Sequence, residues 1–439
     1  MLHTRSLIAG CAALLLSAVA TAADKPPFPR LGALVIGAPQ NYDDRAYQEK
    51  LAKVDMSLLA YYPGWDKSHD MPMEQVVRNI EGRNPDSKVF LYQISSSVDC
   101  SSEAYEPLYN KIDQMRWWAY PSGSSGDRIR SSFAAKSAKP DYVINTTLFS
   151  PRDSSGYQWW EYHARWAVQN YYQKAPSIAG LFEDNVFWRP RVDADWNRDG
   201  VVDLRTSPQA GQWLREGYRK RFQLMHQLLP AGKYMIGNVA DWGDKKSVLT
   251  ELDGTLNGGI IEGLLGTTHS PERWASWDEM MHWYRKTMDA IAEPKLVMFH
   301  QVGDPTDYQA MRYGLASSLM DDGYYVFTKS GSPYVGVNWF DEFDAKLGQA
   351  TAPPSKTPWQ KGVYRRDFED GIALVNPRGN GPVEVTLEAE FKRIDGHQAP
   401  GVNNGQTTKT VQLKDRDGII LLRTDKQPLP TAPKLIAVH

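Results

Sequence analysis

The chain has few cysteines and almost no net charge, and both shortages limit what it can be. Its 439 residues include two cysteines, Cys11 and Cys100, and its formal net charge is -2. Cys11 lies in a segment that we expect to be removed, so Cys100 has no intramolecular partner for a disulfide. The balanced charge argues against nucleic acid and anionic membranes as partners, because both attract clusters of basic residues.

Several motifs of catalysis and metal binding are also missing. The sequence has no HExxH and no cysteine pair, so a zinc site has no support. It has neither the GxSxG of serine hydrolases nor the GxxxxGK[ST] that binds phosphates. We therefore expect no organic cofactor. Beyond the N-terminus no segment approaches the roughly 20 apolar residues of a membrane helix, so we expect no membrane span.

Residues 1–23 have the pattern of a secretory signal peptide. Arg5 precedes an apolar run from Leu7 to Val19, and residues 20–22 (Ala-Thr-Ala) fit a cleavage site. A lipoprotein anchor at Cys11 fits less well, because the apolar run continues past that residue. We expect an exported protein, periplasmic or extracellular, whose signal peptide is removed.

Residues 24–348 alternate between short apolar runs and amphipathic segments. Continuous apolar runs are typical of strands covered on both faces, as in parallel sheets. Proline after a capping residue predicts helix starts at Ser207-Pro208, Ser270-Pro271 and Asp304-Pro305. Eight strands followed by helices indicate a (β/α)8 TIM barrel. The predicted strands are GALVIGA from Gly32, SLLAYYPG from Ser57, KVFLYQIS from Lys88, IAGLFEDN from Ile178, YMIGNVADW from Tyr234, GGIIEGLLG from Gly258, KLVMFHQVGD from Lys295 and GYYVFTKSG from Gly323.

The pattern changes after the predicted barrel. Residues 349–358 are rich in Pro, Thr and Ser, which is typical of a linker. From residue 359 to 439 apolar residues alternate with polar ones, and Asp-Gly pairs precede two apolar runs. We therefore predict a small C-terminal antiparallel β-sandwich as an accessory domain.

The active site of such a barrel lies at the carboxyl ends of its strands, so acids that close apolar strands are catalytic candidates. The segment GLFEDNVFW contains Glu183 and Asp184 side by side, of which strand alternation turns one toward the barrel axis. We favour Asp184 and expect Glu183 to face the helices. The alternatives for Asp184 are a structural cap or ion pair.

Glu262 is surrounded in sequence by Gly, Ile and Leu. Such surroundings predict desolvation, which favours the protonated form that a general acid needs. Together with an ionised Asp184 it would form the two-carboxylate arrangement of glycoside hydrolysis. A buried acid with only a structural role is the alternative for Glu262.

Other polar or aromatic residues near strand ends are candidates for substrate binding. Aromatic rings stack on sugars, although most aromatics in a large protein are core residues. His300 either orients hydroxyl groups or is a satisfied barrel histidine, and Asn238 either binds hydroxyl groups or closes a turn. The predicted substrate-binding residues are Tyr61, Trp65, Trp117, Trp118, Trp188, Asn238, His300 and Gln301.

The segment DADWNRDGVVDL after the Asp184 strand resembles part of a calcium loop. Oxygen ligands alternate along it and Gly200 permits a sharp turn, but Thr206 stands where a bidentate Glu is expected. A structural calcium ion and a solvated acidic turn are both compatible with this pattern. The predicted ligands are Asp195, Asn197, Asp199, the Val201 carbonyl and Asp203.

The order of several segments resembles hypothetical glycosyl hydrolase family fifteen. These are GLFEDNVFW, NRDGVVD, GGIIEGLLG, WFDEFDAKLG and the closing ALVNPRGNGPVEV and GIILLR. The resemblance implies a (β/α)8 barrel and matches the family's catalytic Asp-Asn and Glu to Asp184-Asn185 and Glu262. Because relatives cut α-linked polysaccharides such as galactosaminogalactan, it also implies an exported polysaccharide as substrate. Glu183 occupies a position that is often apolar in such barrels, which leaves open whether it replaces Asp184.

We therefore expect an exported, monomeric glycoside hydrolase that acts on a polysaccharide or oligosaccharide through Asp184 and Glu262. One alternative is a barrel protein that binds carbohydrate without cleaving it. Another is an exported hydrolase of a different kind, such as a deacetylase, but its metal ligands are missing from the sequence.

Overall fold

The computed structural model describes residues 25–98, 102–123, 126–131, 141–242, 254–331 and 334–424. The predicted signal peptide and Cys100 lie outside the described residues. Strands are numbered in chain order. They are β1 (Leu31–Leu34), β2 (Met56–Leu59), β3 (Lys88–Ile94), β4 (Ser97–Val98), β5 (Tyr142–Val143), β6 (Gly180–Asp184), β7 (Tyr234–Asn238), β8 (Gly258–Leu265), β9 (Leu296–Gly303), β10 (Tyr324–Lys329), β11 (Tyr364–Asp367), β12 (Gly371–Asn376), β13 (Val383–Arg393), β14 (Thr407–Leu413) and β15 (Asp417–Arg423).

Eight parallel strands close into a barrel, as predicted. Their order around it is β1-β10-β9-β8-β7-β6-β3-β2, and β1 pairs with both β10 and β2. All eight predicted strands are present, so the (β/α)8 prediction is confirmed. The small antiparallel pair β4 and β5 lies outside the barrel sheet.

The helices are α1 (Arg45–Leu51), α2 (Met73–Glu81), α3 (Glu106–Met115), α4 (Trp159–Asn170), α5 (Pro208–Leu228), α6 (Pro271–Trp274), α7 (Trp277–Ala290) and α8 (Tyr308–Ser318). Two predicted starts are confirmed at Pro208 and Pro271. The start at Asp304-Pro305 is wrong, because Asp307 caps α8 by accepting the Ala310 N–H. No helix among these residues is long and apolar enough to cross a membrane.

The inside of the barrel is filled by apolar side chains from alternate strand positions. Phe90, Phe182, Ile236, Ile260 and Met298 belong to one buried cluster there. Because successive side chains of a strand point to opposite faces, the residues next to these point toward the helices.

The C-terminal strands form one antiparallel sheet in the order β11-β12-β15-β13-β14. On β12, Ile372 and Leu374 pack in the sheet's own core, whereas Ala373 and Val375 belong to the main core cluster of the barrel. The antiparallel C-terminal domain, which was predicted as a β-sandwich, is thus present, and its five strands within the described residues form a single sheet. The boundaries at residues 348 and 359 stay predictions, since the barrel strands end at Lys329 and the sheet begins at Tyr364.

Candidate active site

Asp184 and Glu183 point to opposite sides of β6, as strand alternation predicts. The Glu183 carboxylate is fully buried, accepts the Ser95 N–H at 2.8 Å and lies 2.7 Å from a guanidinium nitrogen of Arg221 on α5. The Arg221 guanidinium also donates to Nδ1 of His163 on α4. Glu183 therefore connects β6 to α5 through Arg221, and Arg221 extends the connection to α4 through His163.

Glu262 lies at a break in the regular pairing of β8. The register between β8 and β9 shifts between Ile261 and Leu265, and Gly263 has a φ of 67°. This bulge brings the Glu262 side chain to the exposed mouth of the barrel. The predicted desolvation of Glu262 is therefore wrong, because its apolar neighbours in sequence pack elsewhere.

Asn238, at the end of β7, connects the two acids. Its amide nitrogen donates to Oδ1 of Asp184 at 3.1 Å and to Oε2 of Glu262 at 2.7 Å. Since β7 lies between β6 and β8 in the barrel, an amide side chain at its end reaches both neighbours. The structure thus brings Asp184, Asn238 and Glu262 together.

Two tyrosines complete the hydrogen bonding of the carboxyl pair. The Tyr92 hydroxyl donates to Oδ2 of Asp184 at 2.5 Å, and the Tyr334 hydroxyl donates to Oε1 of Glu262. Each of the four carboxyl oxygens therefore has one side-chain donor. Burial and the nearby carboxylates raise the pKa of both tyrosines, so both hydroxyl groups keep their protons at neutral pH.

Burial and hydrogen bonding shift the pKa of Asp184 in opposite directions. Burial raises the pKa of Asp184 above its ordinary value, and the charge of Glu262 acts in the same direction. Hydrogen bonds from Tyr92, the Asn185 backbone and Asn238 favour the ionised form and limit this rise. Asp184, and not Glu262, is therefore the desolvated member of the pair.

Both acids line an open cleft with a volume of about 1050 Å³. Its wall includes Asp241, Arg191 and Trp274. Asp241 accepts a hydrogen bond from Arg191 at 3.2 Å. The cleft thus joins a carboxyl pair, polar groups and an aromatic ring, a combination that suits a carbohydrate.

Two predicted substrate-binding residues are structural. His300 is fully buried, where Nδ1 accepts the Gly263 N–H at 3.0 Å and Nε2 donates to Thr328 Oγ1 at 2.8 Å. Gln301 is also buried, accepting from Tyr325 and donating to the Ala310 carbonyl. Their polar atoms are occupied within the protein, so neither residue is placed to bind substrate.

Most of the predicted sugar-stacking aromatics are core residues, which corrects that prediction. Tyr61 and Trp65 pack against each other with ring centroids 5.6 Å apart, and Trp117 and Trp118 are fully buried. Trp188 is half-buried, and the guanidinium of Arg215 lies 3.6 Å from the centre of its ring. The position of an aromatic residue after a strand does not show whether its ring is exposed to a ligand or packed in the core.

Three residues of the site were missed by the sequence reasoning. Tyr92 lies within the predicted strand KVFLYQIS, and Tyr334 follows the last barrel strand. Trp274 follows Ser270-Pro271, where a helix start was predicted directly after the Glu262 strand. That position was a usable signal for Trp274, because loops after barrel strands line the site.

The acidic loop after β6 holds its own backbone in place. Asp195 accepts the Gly200 N–H at 2.7 Å, Asp199 accepts the Val201 N–H at 2.8 Å, and Asp203 accepts the Trp196 N–H at 2.9 Å. Asn197 also bonds to Asp199. In the described part of the chain no three His, Cys, Asp or Glu side chains are grouped to hold a metal ion. The calcium site therefore stays a prediction from the sequence, without support from the arrangement of these side chains.

The family is decided by a comparison of sequences. The profile of hypothetical glycosyl hydrolase family 15 matches residues 82–372, which include both Asp184 and Glu262. The chain belongs to this family. As a member of hypothetical glycosyl hydrolase family 15 it is a glycoside hydrolase, and the cleft described above is its candidate active site.

Several solved structures are similar to this family member at low sequence identity. The glycoside hydrolase domain of PelA from Pseudomonas aeruginosa is 16% identical, with a TM-score of 0.42 over 71% of this chain and 99% of that one. The maltogenic alpha-amylase AmyB from Thermotoga neapolitana is 8% identical, with a TM-score of 0.44 over 89% and 95%. A point mutant of MUTB, from crystals soaked with trehalulose, is 9% identical, with a TM-score of 0.50 over 90% and 99%. At such low identity the MUTB likeness shows a shared fold alone. No curated protein matches the sequence.

Proposed function

We propose that this glycoside hydrolase is an exported enzyme that cleaves a polysaccharide, with Asp184 and Glu262 as its catalytic pair. The observation that carries the proposal is the single amide group of Asn238, which donates to both carboxyl groups at the wall of one open cleft. Two acids on either side of a glycosidic bond are what its hydrolysis requires.

The spacing of the carboxyl groups favours a retaining mechanism. Oδ1 of Asp184 and Oε2 of Glu262 share one donor nitrogen. These two facing oxygens are therefore no more than about 6 Å apart, the sum of the two hydrogen-bond lengths, which is nearer to the separation in retaining enzymes than to the ~6.5 to 9.5 Å of inverting ones. Retaining enzymes have carboxyl groups about 5 to 5.5 Å apart.

The hydrogen bonds to Asp184 and the exposure of Glu262 favour a division of roles, because the bonds from Tyr92, the Asn185 backbone and Asn238 offset the burial that raises the pKa of Asp184. Asp184 is held by Tyr92 and Asn238 at the end of a barrel strand, which suits a nucleophile that must approach the anomeric carbon in a fixed direction. Glu262 is exposed, which allows it to exchange a proton with water between the two halves of the reaction. We assign Asp184 as nucleophile and Glu262 as acid and base.

The reaction then proceeds in two steps. A carboxylate oxygen of Asp184 forms a bond to the anomeric carbon while the bond to the leaving oxygen breaks, and Glu262 transfers its proton to that oxygen. In the second step Glu262 takes a proton from water, the water oxygen attacks the anomeric carbon, and the bond to Asp184 breaks. Both acids return to their starting forms.

Substitution of the two acids tests this assignment. We expect Glu262→Gln and Asp184→Asn to lower the release of reducing ends from galactosaminogalactan or from a bacterial exopolysaccharide by about 10²- to 10⁴-fold, because each removes a group that acts in the transition state. Glu390→Gln, at an exposed position of β13, is the matched control and should keep full activity.

Two results would separate this proposal from its alternatives. Undiminished activity of Glu262→Gln would remove Glu262 from the mechanism. The anomer first formed by the wild-type enzyme, observed by NMR, should have the configuration of the substrate, and an inverted product would refute the nucleophilic role of Asp184.

A further inference from the structure

Trp274 is an exposed aromatic residue on the wall of the catalytic cleft. Its relative exposure is 57%, and Trp359 on the C-terminal domain is the other exposed tryptophan of the described residues. Exposing a large apolar ring to water is unfavourable, so such a ring within a cleft indicates a surface that a ligand covers. Aromatic rings of this kind stack on the C–H faces of sugars.

The ring of Trp274 is fixed at its edges. Its Nε1 donates to the His269 carbonyl at 3.1 Å, and Trp283 meets it edge to face with ring centroids 5.9 Å apart. Trp283 in turn donates to Glu279 at 3.0 Å. The ring is therefore already oriented before a substrate arrives, which reduces the entropy lost on binding.

The short helix α6, which ends at Trp274, is fastened from two sides. The Ser270 hydroxyl donates to the Leu264 carbonyl of β8 at 2.7 Å, which ties α6 to the strand of Glu262. Glu272 of α6 is buried and accepts from Arg416, in the turn between β14 and β15 of the C-terminal sheet, at 2.9 Å. Arg378, in the connection between β12 and β13 of the same sheet, donates to the Glu272 carbonyl at 3.2 Å. The C-terminal sheet thus holds the segment that presents Trp274.

We propose that Trp274 forms a sugar-binding subsite in the cleft, at which a pyranose ring of a polysaccharide stacks, and that the C-terminal sheet positions this subsite through Glu272. This inference rests on the proposed function, because the bound sugar is a part of the substrate chain beyond the bond that Asp184 and Glu262 cleave. The substrate class is accordingly an oligosaccharide or polysaccharide long enough to reach both places.

A binding measurement without turnover tests the subsite. Glu262→Gln is run in native gels that contain galactosaminogalactan, starch, dextran or a β-glucan, and retardation by any of these reports affinity. We expect the additional change Trp274→Ala to weaken the binding of a retarding polysaccharide by roughly 10-fold, because it removes the ring on which the sugar stacks. Trp274→Phe should retain most of the retardation, because it keeps an aromatic face.

The control is Trp359→Ala in the same Glu262→Gln background, which should leave retardation unchanged. Thermal unfolding of each variant shows whether it is folded. Equal retardation of Trp274→Ala and its parent would overturn the subsite, as would the absence of retardation by every polysaccharide. If a polysaccharide retards the protein through Trp274 but the wild type releases no reducing ends from it, the subsite stands and the proposed catalytic pair fails.

The C-terminal sheet is tested through Arg416. With the wild-type acids present, Arg416→Met should raise KM for the same polysaccharide with little change in kcat, because it disturbs a binding segment and leaves the carboxyl pair in place. Lys414→Met, at an exposed position in the same turn between β14 and β15, is the control. A fall in kcat with unchanged KM would contradict the positioning role.

Discussion

At the scale of single residues, the candidate site is a pair of acids in which each carboxyl oxygen accepts a hydrogen bond from a side chain. Tyr92 donates a hydrogen bond to Asp184, Tyr334 donates one to Glu262, and Asn238 donates to both acids. Donors that point at a carboxylate stabilise its charged form, whereas burial destabilises it. The protonation state of Asp184 is therefore set by a balance that single substitutions can change.

Removal of the Tyr92 hydroxyl should change the pH dependence in one direction. The Tyr92 hydrogen bond lowers the pKa of Asp184, against the burial that raises it. In Tyr92→Phe we therefore expect this pKa to rise, so that a higher pH is needed to ionise the nucleophile. The acidic limb of the kcat/KM profile should move to higher pH.

The comparison is with the wild-type profile under the same conditions. Tyr364→Phe, which removes a hydroxyl group that donates to Asp278 outside the cleft lining, is the control and should leave the profile unchanged. A shift of the acidic limb to lower pH in Tyr92→Phe would contradict the assignment of that limb to Asp184.

At the scale of elements, the bulge of β8 determines where Glu262 lies. Gly263 adopts a left-handed conformation, with a φ of 67°, and its N–H is held by buried His300. Burial lowers the pKa of His300 to about 4, so the neutral ring keeps Nδ1 available as an acceptor at neutral pH. His300 thus acts on the site through the backbone next to Glu262.

Substitution of Gly263 by Ala should displace Glu262. A Cβ at this position would lie 2.9 Å from Thr267 Cγ2, in a conformation that side chains rarely adopt. Because catalysis depends on carboxyl positions to within about 1 Å, we expect kcat/KM to fall by roughly 10- to 100-fold. Steady-state kinetics and urea unfolding measure the two effects separately.

Gly232→Ala provides the matched control. Gly232 has a φ of 81°, and an added Cβ meets nothing within 4 Å. It should share the backbone strain but keep full activity. Equal activity of the Gly263→Ala enzyme and the wild type would show that the bulge does not position Glu262.

At the scale of the whole molecule, the barrel and the C-terminal sheet are packed as one body. Gly418 at the start of β15 lies against α8, where an added Cβ would be 2.6 Å from the Ala316 Cβ. Arg312 of α8 lies 3.4 Å from Asp417, and both side chains are mostly buried. These contacts leave little room for independent movement of the two parts.

We therefore expect the barrel and the sheet to unfold together. Gly418→Ala should lower the free energy of unfolding by about 1 to 3 kcal/mol through overpacking, in a single transition seen equally by circular dichroism and tryptophan fluorescence. Gly401→Ala, where a Cβ meets nothing within 4 Å, is the control. Two separate transitions, of which only one responds to Gly418→Ala, would contradict this expectation.

The sequence predicted the strands and the direction of side chains along them better than it predicted which side chains are exposed. Apolar runs and their spacing predicted all eight barrel strands, and alternation within β6 correctly separated Asp184 from Glu183. The same reasoning failed for Trp117 and His300, because a position near a strand end does not reveal which neighbours cover a side chain. It also failed for the desolvation of Glu262, whose apolar sequence neighbours are turned away by the bulge.

The sequence by itself determined the barrel, the strand ends that carry the acids and the family, because hydrophobic period and motif order are local properties of the chain. Only the tertiary structure decided which groups meet in space. It brought Asn238 between two acids 78 positions apart in sequence, buried most of the predicted sugar platforms, and left Trp274 exposed. Exposure and hydrogen-bond partners depend on contacts between distant segments, which exist only after the strands have closed into a barrel.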